Sequence, residues 1–203
     1  MITPPQVQLR TDQAGEVVAL FCAAFADYPV MRFVLAGEGD RYPERLRILI
    51  DFFVMARALR GEPMLGIIGP AGLTAAATVS FPDGRPSPPA LADLRESVWE
   101  QLGAGPRERY EACGATWARF EVADPHTHLN MIGVHPEHRG TGQARRLLES
   151  VQGISRGVPA SRGVSLTTED PRNVPIYQRC GYAVQAEAQI APGLPTWSMF
   201  RPD

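Results

Sequence analysis

The sequence predicts a single α/β domain over residues 1–203, built on a mixed, mostly antiparallel sheet of six or seven strands flanked by helices. Three observations predict it. Two apolar runs, Met64–Ile68 and Leu73–Phe81, flank the turn Gly69-Pro70-Ala71-Gly72 and read as an antiparallel hairpin. A strand, helix, strand order across residues 129–168 makes a crossover, which joins parallel strands. Two β-rich runs near 182–190 and 196–201 complete the sheet.

In chain order, Gln6–Arg10 is a short first strand, and Thr11 or Asp12 caps a helix with Val17, Leu20, Phe21, Ala24 and Phe25 on one face. Pro29 disfavours helical geometry at Tyr28, so the chain turns there. A polar loop over Gly37–Pro43 leads to a helix from about Glu44 to Leu59, with Leu46, Leu49, Phe52, Phe53 and Ala56 at helical spacing. After the hairpin, Pro82–Pro89 is an extended linker too rich in proline for regular structure. Helices over Leu91–Leu102 and Arg107–Phe120 follow, so 82–120 is expected to be a helical insertion that shapes a ligand pocket. Asp124–His128 is a turn before the apolar strand Leu129–Val134. The helix opening at Arg139–Ala144 turns Ala144, Leu147, Leu148 and Val151 inward, and Gly163–Thr168 is the strand after it. Asn173–Cys180 is a short helix.

Composition narrows the function classes. Apolar residues at 44% and charged residues at 21% suit a globular chain and argue against disorder. A net charge of -2 offers no basic footprint for nucleic acid. With no apolar run of membrane-spanning length and no secretory signal layout, a cytoplasmic protein without membrane or nucleic-acid partners is expected. Cys22, Cys113 and Cys180 are odd in number and widely spaced, and read as reduced thiols rather than a disulfide or zinc framework.

The chemistry concentrates in Leu129–Leu148, LNMIGVHPEHRGTGQARRLL. Gly140 and Gly142 stand at a helix entrance, where glycine permits close approach of an anion and the first amides lack internal partners. GxG at a helix start also occurs where tight packing alone requires it, and this one fits neither a P-loop nor a dinucleotide fingerprint. Arg145 and Arg146 read as solvated.

Val134-x-Pro136-x-x-Arg139-Gly140-x-Gly142-x-Ala144 resembles the acetyl-coenzyme A signature of the GNAT acetyltransferases, and Asn173, Tyr177, Gly181 and Tyr182 resemble that family's second element. The segment AFADYP and the ending GLPTWSMFRPD resemble the puromycin N-acetyltransferase branch. The resemblance implies a splayed parallel strand pair at the cofactor site, a binding core over 129–182, and acetyl-CoA as acyl donor without a metal. Arg139, Gly140, Thr141, Gly142, Gln143 and Ala144 would hold its pyrophosphate, helped by the helix dipole. Met131, Ile132, Gly133 and Val134 would guide the pantetheine arm, with a backbone amide polarising the acetyl carbonyl. Tyr177 is then the general acid for the departing thiolate, and Asn173 assists the cofactor.

The base and the acceptor are less defined. Where the puromycin branch has an acidic residue this chain has Thr167, so Glu169 and His128 stand as base candidates, with Glu121, Asp124 and His126 nearby in sequence. A metal on His126 and His128 would want a third ligand that the sequence does not supply. Phe25, Tyr28, Trp117 and Trp197 are candidate acceptor-pocket residues, each equally readable as core. The expected function is transfer of acetyl from acetyl-CoA to a small-molecule amine by direct attack, in a monomer or homodimer. Protein N-terminal or lysine acetylation and a non-catalytic acyl-CoA-binding module are the alternatives.

Overall fold

A computed structural model describes residues 6–36, 39–82, 84–120, 122 and 124–203. Among them seven strands form one sheet: β1 (Gln6–Leu9), β2 (Met64–Gly69), β3 (Gly72–Ser80), β4 (Thr127–Val134), β5 (Gly163–Thr168), β6 (Ala183–Ala191) and β7 (Leu194–Pro202), in the order β1-β2-β3-β4-β5-β7-β6. Every neighbouring pair is antiparallel except β4 and β5. The helices are α1 (Ala14–Ala24), α2 (Pro29–Val34), α3 (Tyr42–Leu59), α4 (Pro89–Leu102), α5 (Ala104–Trp117), α6 (Gln143–Arg156) and α7 (Val174–Arg179).

The sheet separates two apolar cores. On one face α1 to α5 bury Phe21, Leu49, Ile50 and Val54 among others, and on the opposite face α6 and α7 bury Leu147, Leu148, Val151, Leu166 and Met199. Each such side chain contributes roughly 1.5–3 kcal/mol by leaving water. The α6 layer follows from sequence spacing, since Leu147, Leu148 and Val151 recur on one stripe while Arg145 and Glu149 face solvent. Gly133 is required by packing: a Cβ there would stand 2.9 Å from Ala24 and from the Phe21 ring, so its absence lets α1 lie flat on β4.

Several expected boundaries move, for identifiable reasons. Thr11 and Asp12 form a 3-10 turn ahead of α1 rather than its cap, with the Gln13 side chain accepting the Arg10 N–H at 3.1 Å. Pro29 keeps Tyr28 extended, as expected, and also opens a helix that was not expected. It occupies the first position of α2, where a missing N–H is harmless and a fixed φ suits the helix. Part of the Gly37–Pro43 loop is a 3-10 turn over Gly39–Arg41, and α3 begins at Tyr42 with Pro43 in its first turn. Gly103, at φ +86, breaks the insertion into α4 and α5, so the second helix starts at Ala104. Gly37 and Glu38 of the loop, Asp83 of the linker and the base candidate Glu121 lie outside the described residues. Among the described residues no helix is long and apolar enough to cross a membrane.

Candidate active site

The parallel pair positions the site. Among the described residues β4 and β5 register at Thr127 with Val164 and His128 with Ser165, and beyond that point the strands part. From Leu129 onward β4 stays paired to β3 on its other side. In an antiparallel pair every second residue turns its N–H and C=O away from the partner, so β4 presents backbone groups into the gap that β5 does not satisfy. Two polar contacts hold the closed end: the Thr127 N–H donates to Ser161 Oγ at 3.0 Å, and His128 Nδ1 lies 2.7 Å from Ser165 Oγ.

A cavity of about 820 Å³ opens where the strands separate. Leu129–Ile132 line it from β4, Leu166 and Thr167 from β5, Glu169 from the loop after β5, and Asn173 and Tyr177 from α7. Phe25, Tyr28 and Trp117 complete that side, Phe25 edge-on to Tyr28 with centroids 5.2 Å apart. The structure thus brings Glu169, His128, Tyr177, Asn173, Met131, Ile132, Phe25, Tyr28 and Trp117 together. Trp197 is elsewhere: on β7 the neighbouring Thr196 faces Glu169, so strand alternation sends the Trp197 ring to the α6 side of the sheet.

Glu169 is the best-held carboxylate of the cavity, at 4% exposure. Its Oε1 accepts the Thr196 hydroxyl at 2.8 Å and the Trp117 indole N–H at 3.2 Å. Burial raises its pKa above the ordinary carboxylate value, against the lowering effect of those hydrogen bonds. His128 shifts the other way. Burial, then the neighbouring His126 and Arg57, pull its imidazole down to about 4, so it is neutral at pH 7. His126 precedes the strand and holds the Asp124 carbonyl at 2.7 Å. Among the described residues no group of three His, Cys, Asp or Glu side chains is arranged to hold a metal.

Tyr28 ties the first helices to this centre. Its hydroxyl accepts the Glu169 backbone N–H at 3.0 Å and lies 3.0 Å from Thr168 Oγ1, which also receives Asn173 Nδ2 at 3.3 Å. Tyr177 packs edge-on to Tyr182 at 5.9 Å, and burial followed by the nearby Glu169 holds its phenol well above the ordinary value. It therefore stays protonated across the neutral range. Cys113, buried near Glu169, has its thiol pushed up to about 12 and is inert as a nucleophile.

The glycine loop lies beyond the far end of β4. Gly140 and Gly142 have φ of +76 and +79, and a Cβ at either would meet nothing within 4 Å, so the conformation demands glycine and the space outside is open. Arg146 N–H is the donor that reaches back to Gly142, which leaves the amides of Gln143, Ala144 and Arg145 at the positive end of α6 without an intrahelical acceptor. The side chains of the loop mostly shape it. Gln143 is buried with Oε1 on the Thr74 hydroxyl at 2.8 Å, Thr141 donates to the His138 carbonyl at 2.6 Å, and Arg139 donates to the Ala24 carbonyl at the end of α1 at 3.0 Å. Val134 packs into the α6 core.

The rest of the cavity wall was not read from the sequence. Phe52, Phe53 and Arg57 of α3, Arg60 just after it, Arg95 of α4 and Tyr110 of α5 all line it. The signal present was Arg57 and Arg60 three residues apart on a helix whose neighbouring Phe53 and Ala56 are apolar.

A seven-stranded sheet parted at one parallel pair, with a glycine loop opening a helix beside the gap, is the fold of GNAT acetyltransferases. Residues 107–184 match the model of the acetyltransferase (GNAT) domain, a span that runs from α5 through the gap and the glycine loop to β6. A structure described as histone acetyltransferase HPA2 and related acetyltransferase from Corynebacterium glutamicum superposes with TM-score 0.69 at 20% identity, covering 100% of this chain and 98% of that one. A polyamine N-acetyltransferase of Drosophila melanogaster superposes with TM-score 0.66 at 14% identity over 97% of each chain. A mosquito arylalkylamine N-acetyltransferase-like protein gives TM-score 0.58 at 12% identity over 98% of this chain and 99% of that one. At these identities the likeness is one of fold.

Proposed function

We propose that the chain is an acetyl-CoA-dependent N-acetyltransferase that acetylates a small-molecule amine by direct attack in a ternary complex. One observation carries the reading: the β4–β5 gap places a phenol and a buried carboxylate in one cavity whose strand leads to an anion-ready helix start. The residues fit the donor. Open space outside Gly140 and Gly142 and the unpartnered first amides of α6 suit a pyrophosphate, and unpaired backbone groups of β4 suit the amides of a pantetheine arm. When bound, acetyl-CoA supplies an activated acyl group as a thioester.

This chain's residues then divide the proton work. An amine enters as an ammonium and attacks only after losing a proton, which the Glu169 carboxylate takes. Its raised pKa moves it toward the operating pH, whereas His128, lowered to about 4, is a weaker base. Tyr177 keeps its proton at the phenol oxygen, available to the departing sulfur. Trp117 and Thr196 fix the base from one side, and Tyr28 fixes its backbone from the other. The likeness of AFADYP to the puromycin branch is consistent with Tyr28 serving the acceptor side.

Thiol release from acetyl-CoA with a panel of amines and lysine peptides tests the reading. Turnover with small amines and little with peptides is expected. Tight cofactor binding without release for any acceptor would make the protein a sensor instead.

A further inference from the structure

The cavity wall away from Tyr177 carries a different chemistry. It is made by α3 and α4, and its cations are Arg57 and Arg60, one turn apart, and Arg95 facing them. Between these stand the rings of Phe52, Phe53 and Tyr110, the last two 5.7 Å apart. The nearby carboxylates are engaged or outnumbered. Glu62 pairs with Arg57 at 2.9 Å, and Glu96 with Arg107 at 3.3 Å. Arg60 spends its hydrogen bonds on neutral partners, Ser87 Oγ at 2.8 Å and the Ala56 carbonyl at 3.4 Å.

These arginines are not placed for the donor's phosphates. Arg57 Nη1 reaches Asn130 Oδ1 at 3.4 Å, beside the first half of β4. The glycine loop follows the other end of that strand, and Asn130 to Val134 alone spans about 13 Å at roughly 3.3 Å per residue. The two basic regions are separate sites.

We propose that the acceptor is an amine that also carries an anionic group, a carboxylate or a phosphate, on an aromatic or apolar body. Resting on the acetyl-transfer reading for the end at which nitrogen reacts, the amine lies at Glu169, the body against Phe52, Phe53 and Tyr110, and the anion on Arg60 and Arg95, with Arg57 behind them. Guanidinium groups suit such an anion because they are permanently charged and bind it in a planar fork. A polyamine is disfavoured, since its second ammonium would face the same arginines.

The test is calorimetric titration of the CoA-bound protein with para-(aminoethyl)benzoate, phosphotyramine, phenylethylamine and spermidine, in the native chain and in the Arg60→Gln/Arg95→Gln variant. One of the two anionic amines should bind about tenfold or more tighter than phenylethylamine, with spermidine weakest. The better of the two identifies the group. In the variant that ratio should fall to about one, with the melting temperature preserved. Equal affinities in the native chain, spermidine binding tightest, or a ratio unaltered by the substitutions would each overturn the proposal. Thiol release from acetyl-CoA, supplied in place of CoA with the same amines, reports separately on acetyl transfer: its absence for every amine would sink that reading and leave the affinity ratios to decide the anion site.

Discussion

Changing Glu169 to Gln keeps the shape of the proposed base and removes its chemistry. The amide oxygen can accept the same two donors, Trp117 Nε1 and Thr196 Oγ1, that now meet Oε1 at 3.2 and 2.8 Å. Weakening two hydrogen bonds from charged to neutral loses about 1 kcal/mol each, partly offset because a 4%-exposed charge is no longer held out of water. A positioned general base contributes roughly 10²–10⁴-fold, or about 3–5 kcal/mol of barrier. The loss of turnover should therefore exceed anything the altered hydrogen bonds explain. Thiol release followed against pH is the assay. In the native chain kcat/KM should fall on the acid side with a midpoint above the ordinary carboxylate value, because burial raises Glu169 and only its ionised form accepts a proton. In the variant that limb should vanish, with kcat down about a hundredfold or more. Retained turnover within about threefold would refute the assignment. An acid limb centred near the His128 value of about 4 would transfer the role to that imidazole. Stability gives a second reading. A raised acid contributes stability that is full below its unfolded value and lost as pH rises through its folded one, so the variant should gain on the native chain in urea unfolding as pH rises above the ordinary carboxylate value.

Three further substitutions have defined outcomes. Tyr177→Phe should lower kcat by about tenfold or more with little change in CoA affinity by calorimetry, and native turnover should show no alkaline loss from this phenol below about pH 10. Tyr28→Phe leaves the Glu169 N–H without its 3.0 Å acceptor and should lower unfolding free energy by roughly 1–3 kcal/mol in urea titration. An unchanged midpoint would mean water replaces the hydroxyl. Gly142→Ala meets no steric obstacle within 4 Å but must adopt φ near +79, so it should lose about 1–2 kcal/mol and weaken CoA binding without touching any side chain.

The segments proposed for the donor could be located in the chain because their determinants are local. Leu129–Leu148 holds strand, glycine loop and helix start within twenty residues, and Asn173 and Tyr177 are separated by one helical turn. The strands were legible from alternation and turn chemistry, and seven form the sheet among the described residues. Pro29 does hold Tyr28 in extended backbone as expected, but the helix it opens was not foreseen, because only the burial of Val30, Met31 and Val34 on one face favours that short element. The acceptor side rests on contacts no local window contains. Trp117 and Glu169 meet across 52 positions, Tyr28 and Thr168 across 140. The parity of β7, which turns Thr196 rather than Trp197 toward the carboxylate, depends on a register set by β5. Arg57 and Arg60 become cavity residues only because α4, some thirty residues later, supplies the facing wall.

The seam between β4 and β5 makes the sheet two stiff panels, β1–β4 and β5–β7–β6, joined by a latch of two registered residue pairs. Ser161 on Thr127 and Ser165 on His128 rivet that latch from side chains as well as backbone. Leverage follows. A rotation of a few degrees at the latch changes the separation little there and much more at the wide end, so the aperture is set at a point remote from the opening. Tyr28 crosses from the α1–α2 turn of the first panel to Thr168 and the Glu169 amide of the second, as a tie-rod near the wide end. The width of the opening is thus fixed by serines and a tyrosine.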